Sequence, residues 1–153
     1  MLANLIEADD DSDGNSGRLL ACTLYSRSGN LMDPIYVHAK IAVIDDNWLT
    51  IGSANLNEHS LFNDTEMNIV SHDAHLARQT RLRLWAEHLE LPIDEMPTDP
   101  IQVIDDLWKP ISGEQLERRK IGQPLSHRLV RLPHVSKRSA RALGPVTGVL
   151  VDG

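Results

Sequence analysis

His38-Ala39-Lys40-Ile41-Ala42-Val43-Ile44-Asp45-Asp46-Asn47-Trp48-Leu49-Thr50-Ile51-Gly52-Ser53-Ala54-Asn55 is the stretch on which the reading of this chain turns. Spaced polar residues interrupt an apolar, β-branched run that ends in Asp45-Asp46-Asn47, a turn signal. Residues 35–45 are expected to form a strand, with His38 and Lys40 on one face and Val37, Ile41 and Val43 on the other. So short and apolar a strand is expected to be buried on both faces. Residues 48–53 read as its antiparallel partner, which carries Gly52-Ser53-Ala54-Asn55 back beside the histidine and lysine.

This polar set suits a phosphoryl oxyanion. Lys40 brings a compact positive charge, and Ser53 and Asn55 bring neutral donors. Gly52 lets backbone approach a ligand closely. His38, whose side-chain type titrates near neutrality, can serve as nucleophile or general acid/base. Each element alone is commonplace, since a lone strand histidine is usually a core residue and Gly-Ser-Ala-Asn an ordinary turn.

At this spacing the set resembles the HKD signature of the phospholipase D superfamily, which includes phospholipase D and cardiolipin synthase. The resemblance is specific over residues 19–91. It implies an α/β fold, a mixed β-sheet flanked by helices, in the form of a half domain incomplete at its N-terminus. It also implies phosphodiester hydrolysis or phosphatidyl transfer through a phosphohistidine intermediate, with no metal or other cofactor. By resemblance His38 and Lys40 are catalytic, and Asp45 supports the turn and neighbouring basic groups. Glu66, within Asn63-Asp64-Thr65-Glu66-Met67-Asn68, would orient a catalytic histidine. Gly52, Ser53 and Asn55 would bind substrate, and Asn57, Glu58, His59 and Ser60 would shape the cleft rim.

The signature occurs once in this chain, whereas the family's site uses two. The chain is therefore expected to be a fragment equivalent to the part holding the second motif, with His38 as general acid. Its implied partners are a phospholipid or other phosphodiester and a second HKD half, either another copy or a missing N-terminal half. A superfamily nuclease acting as a homodimer and a catalytically silent fragment are the alternatives. Nucleic acid is not the expected substrate.

With 153 residues, 41% hydrophobic and 24% charged, the chain has the makings of one modest domain. Cys22 is the sole cysteine, which excludes an internal disulfide and reads as a buried structural thiol. The sequence shows neither a signal peptide nor an apolar run long enough to span a bilayer. A cytoplasmic protein or one in peripheral contact with a membrane is expected. Net charge is −7, yet from Arg118 onward eight basic residues face the single acid Asp152. That basic end reads first as a solvated face.

Three regions are expected. Residues 1–18 are a partial helix and an acidic loop, 19–91 the catalytic region, and 92–153 a helical, basic extension. Within them, residues 19–25 read as a strand, 26–34 as a connecting loop and 66–71 as a further strand. A helix is expected over residues 74–91, with Leu82, Trp85 and Leu89 as its stripe and Arg78, Arg81 and Arg83 facing solvent. A second helix starts at Thr98-Asp99-Pro100 and stops before Pro110, and a third covers residues 112–121. A small basic helix near residues 136–143 and a docking apolar end, 149–151, complete the reading. His59, His72 and His75 lack the partners of a metal site.

Overall fold

The computed structural model describes residues 19–28, 31–55, 60 and 62–133. The expected N-terminal helix and acidic loop, the C-terminal basic helix and the apolar end lie outside these residues, as do Asn57, Glu58 and His59. Residues 22–131 form one compact unit.

The class is α/β, with the strands arranged in two three-stranded antiparallel sheets. In the first sheet, β1 (Cys22–Ser28) lies between β2 (Leu31–Pro34) and β6 (Leu129–Arg131). The second, β3 (Lys40–Ile44), β4 (Trp48–Gly52) and β5 (Asn68–Ser71), carries the signature.

Residues 26–28 and 31–34, expected as parts of a loop, instead lie in β1 and β2, where Tyr25 pairs with Pro34 and Ser28 with Leu31. Its alternation is masked by polar residues because much of this edge faces solvent. The first signature strand starts only at Lys40, and residues 35–39, His38 among them, lead into it without a ladder. The strand expected over 66–71 likewise starts at Asn68.

The β3–β4 turn forms as read. Asp45 and Asp46 take positive φ (51° and 52°), and the Asn47 N–H donates to the Ile44 carbonyl at 3.0 Å. Two consecutive left-handed residues suit the right-handed twist of a tight hairpin, and aspartate tolerates them better than most side chains.

Helix α1 (Ala74–His88) starts where Asp73 accepts from the N–H groups of His75 (2.9 Å) and Leu76 (3.1 Å). It ends with Leu89 as cap and Glu90 at φ 55°, just ahead of Pro92. A 3₁₀ turn (Ile93–Glu95) follows. Asp99 caps α2 (Pro100–Val103), accepting from the Ile101 N–H at 3.0 Å.

Pro110 does not separate two helices. A π turn (Ile104–Trp108) leads straight into α3 (Lys109–Lys120). The widened turn relieves the clash a proline ring makes with the carbonyl four residues earlier, here Asp106.

Ala86, Leu89, Met96, Val103 and Leu129 form the main core, with Leu24, Trp85, Leu107, Trp108 and Ile111 packed around it. Tyr25, Leu125 and Val130 form a second cluster. Buried Gln115 accepts from the N–H groups of Ser126 (2.8 Å) and His127 (3.2 Å), fixing the chain that enters β6. Cys22 is half-buried, and burial pushes its thiol pKa up.

Two expectations about burial are overturned. Arg81 is buried, not solvent-facing: its Nε and Nη2 meet the Asp46 carboxylate at 2.6 and 2.7 Å, and Nη2 also donates to the Thr98 carbonyl at 3.0 Å. Its guanidinium lies 4.7 Å from the Trp85 ring centre. Strand β3, in turn, is not covered on both faces. Ile41, Ile51 and Ile69 stand in one cross-strand row and are 37%, 45% and 75% exposed. Among the described residues α1 packs on β3 and β4, with Arg81 bound at the turn, and this row stays open.

Candidate functional site

The site is built at the end of the second sheet opposite its turn. Lys40 opens β3 and pairs in register with Gly52 of β4, which pairs with Asn68 of β5. The half-buried Lys40 side chain bends back to donate from Nζ to the His38 carbonyl at 2.9 Å. His38 is exposed, and its ring stacks on Tyr36 with centroids 5.8 Å apart and planes 23° apart. The contact between the two signature residues thus runs from ammonium to backbone carbonyl, and both side chains remain open to solvent.

Beyond Gly52 the chain is stitched to the segment before β5. The Ser53 N–H donates to the Met67 carbonyl (3.1 Å), and the Met67 N–H donates to Ser53 Oγ (3.1 Å). Ser53 Oγ in turn donates to Glu66 Oε2. The Ala54 N–H donates to Asn68 Oδ1 (3.2 Å), and Asn68 Nδ2 donates to Thr50 Oγ1 (3.3 Å). Asn55 Nδ2 reaches the buried Ser60 Oγ at 3.4 Å.

Gly52 owes its identity to this stitching. A β-carbon there would overlap the Asn68 carboxamide and the Met67 carbonyl. The close approach expected of this glycine is therefore met within the protein itself.

A groove of about 690 Å³ runs along this face. Lys40, Asn55, Asn68 and Thr50 are its polar lining, and Ala42, Ile44, Trp48 and Val70 its apolar lining. His38, Ser53 and Glu66 lie outside that lining.

Lys40, Gly52, Ser53, Asn55 and Glu66 thus gather at one end of the sheet, with His38 adjoining through its backbone. Asp45 does not join them. Five residues along β3 from Lys40, it stands about 17 Å away at the turn. The neighbouring basic group is bound by Asp46 instead, whose carboxyl pKa is lowered first by the hydrogen bond from Arg81. Glu66 contacts Ser53, and no bond from Glu66 to His38 is formed.

Sequence reasoning missed Asn68 and the Asp46–Arg81 pair. Period-two alternation from Val70 puts Asn68 on the same face as Lys40, and Arg81 lies one helical turn before Trp85 on the buried stripe. No group of three or more His, Cys, Asp or Glu that could hold a metal ion occurs among the described residues. Nor is any helix among them long and apolar enough to cross a membrane.

Residues 16–86 match the family model of the cardiolipin synthase, PLD-like domain. This region of the chain is similar to domains of the phospholipase D superfamily. Phospholipase D alpha 1 of Cynara cardunculus is 32% identical over 113 residues, which cover 61% of this chain and 14% of that relative. The alpha 1 enzyme of Spuriopimpinella brachycarpa is 34% identical over the same shares. Phospholipase D zeta 1 of Arabidopsis thaliana is 34% identical over 94 residues, 50% of this chain and 9% of the relative. The chain thus spans a small part of the length of these phospholipases D.

Proposed function

We propose that this chain supplies one histidine–lysine half of a phospholipase D-like site acting on phospholipids or related phosphodiesters. The observation that carries the reading is the shared groove wall. The Lys40 ammonium and the Asn55 carboxamide flank one groove at the Gly52-Ser53 turn, beside an exposed imidazole. A phosphodiester carries one negative charge, and a lysine with neutral donors around it matches that charge without a metal.

In this reading Lys40, Ser53 and Asn55 hold the non-bridging oxygens and Gly52 keeps the turn tight. A histidine from a second half attacks phosphorus, forming a P–N bond as the P–O bond to the leaving alcohol breaks. His38 gives its proton to that departing oxygen. Water, or a second alcohol, then surrenders a proton to His38 and attacks the phosphohistidine at phosphorus, forming a P–O bond as the P–N bond breaks and the histidine leaves, which gives hydrolysis or phosphatidyl transfer. Glu66 acts through Ser53, whose hydroxyl it aims, and Asp45 acts only by shaping the hairpin turn.

The second half is another copy of this chain or a separate segment carrying its own motif. The open row Ile41–Ile51–Ile69 is in keeping with a chain that requires such a complement.

The test is release of free headgroup from phosphatidylcholine vesicles, and of nitrophenolate from a chromogenic diester, by the full chain at concentrations bracketing any dimerisation seen by size exclusion. Activity should rise with the dimer fraction and fall at least 10³-fold in His38→Ala and Lys40→Ala, in the range general acid and electrostatic groups supply together. Cleavage of DNA but not lipid would turn the reading toward the nuclease. An inert, monomeric chain would leave a silent fragment.

A further inference from the structure

We infer that Asn68, which the signature does not include, is a positioning residue that holds the Gly52–Asn55 turn in its anion-binding shape and presents an amide N–H beside Lys40. The inference rests on the anion-binding reading of that groove and deepens it.

The geometry is specific to a carboxamide. The Asn68 side chain occupies the space left by the missing Gly52 β-carbon. From there its Oδ1 accepts the Ala54 N–H at 3.2 Å. An N–H can be satisfied only by an acceptor, so this bond sets the orientation of the carboxamide and turns Nδ2 toward Thr50 Oγ1, 3.3 Å away. An amide nitrogen has two hydrogens, and Thr50 takes one of them. Asn68 is exposed and lines the groove with Lys40 and Asn55, so the second hydrogen is available to an anion seated there.

The registers explain why the residue sits where it does. Lys40, Gly52 and Asn68 form one cross-strand row, with the glycine in the middle. A side chain at the central position would hold the outer two apart. Its absence lets Asn68 lean across toward β4 and the turn that follows it. Aspartate would keep the acceptor for Ala54 but would replace a donor by negative charge beside Lys40. Alanine would remove both.

Amide hydrogen exchange and phosphate titration on the full ¹⁵N-labelled chain separate these functions. Exchange at Ala54 should be about fivefold faster in Asn68→Ala, the loss of one ordinary hydrogen bond, and within twofold of the parent in Asn68→Asp. The amides of Val43 and Leu49 should be unchanged, showing that the sheet remains folded. Inorganic phosphate, followed through the Ser53 and Ala54 amides, should bind about fivefold more weakly to Asn68→Ala and more weakly still to Asn68→Asp. Unchanged Ala54 exchange in Asn68→Ala overturns the proposal, as does equal phosphate affinity in all three proteins. A parent chain that binds no phosphate removes the anion-site reading, while the exchange measurements still decide whether Asn68 holds the turn.

Discussion

The two sheets have similar strand lengths and opposite surroundings. Around β2-β1-β6, Val103 and Val130 are fully buried, Leu129 is 1% exposed, and α1 and α3 close over the strands. At its margin Glu90 binds Arg27 at 2.6 Å, with His127 and Arg128 at 3.4 and 3.5 Å. Around β3-β4-β5, Met67 is 80% exposed, Ile69 75% and Val70 50%. The signature residues lie on or beside the open sheet. Stability is therefore concentrated where no signature residue stands, and the signature stands where cover is wanting.

The sharpest challenge to this contrast is a pair of truncations. Leu129→Ala empties a packed position and should cost about 3 kcal/mol, measured as a fall in urea midpoint at constant slope. Ile69→Ala, on the open row, should cost less than about 0.5 kcal/mol. If Ile69→Ala proves as costly, that face is covered in solution, and the cost should then vary with protein concentration.

Arg81→Ala comes next, at roughly 2 to 3 kcal/mol, because it leaves the Asp46 carboxylate without its bidentate partner and uncovers Trp85. This pair fixes the turn of the open sheet to α1, so its loss should loosen β3 and β4 while sparing β6. The pH dependence follows from the lowered Asp46 pKa. A carboxyl with a lower pKa folded than unfolded stabilises the fold fully above its unfolded value, near 4. That contribution is lost as pH falls through the folded value. The acid limb of a stability–pH curve should therefore be shallower in Asp46→Asn than in the parent, with little difference near neutrality in slope.

Which parts could be read from residues alone follows the same division. The β3–β4 hairpin and the start of α1 were readable because their signals are local: an Asp-Asp-Asn turn, and an Asp73 side chain within reach of its own helix. The signature's spacing pointed to the superfamily whose domain model residues 16–86 match. Strand β6 was not readable, since three residues carry no period and Leu129 is held by pairing with Leu24 across the length of the unit.

The expected stop at Pro110 failed because a π turn can absorb a proline that an α-helix rejects. Burial of β3 was misjudged for a different reason. An apolar pattern reports what a strand requires, and the cover it requires need not be supplied by the same residues. Of the site itself, the donors and the histidine could be named, but their mutual geometry depends on Asn68 and Gly52 meeting across two strands.

The third contrast sets a glycine of the open sheet against one of the closed region. Gly52→Ala must displace the Asn68 carboxamide or the Met67 carbonyl, and should cost about 1 to 3 kcal/mol while disturbing the Ser53 and Ala54 amides. Gly113, inside α3, has no neighbour within 4 Å of an added β-carbon. Gly113→Ala should therefore stabilise the chain by about 0.5 to 1 kcal/mol, since glycine gives up more backbone freedom on entering a helix than alanine does. Thermal melts of the two variants should move in opposite directions. A loss of stability in Gly113→Ala would mean that this side of α3 is occupied in the whole chain, and the closed region would then extend beyond the residues described.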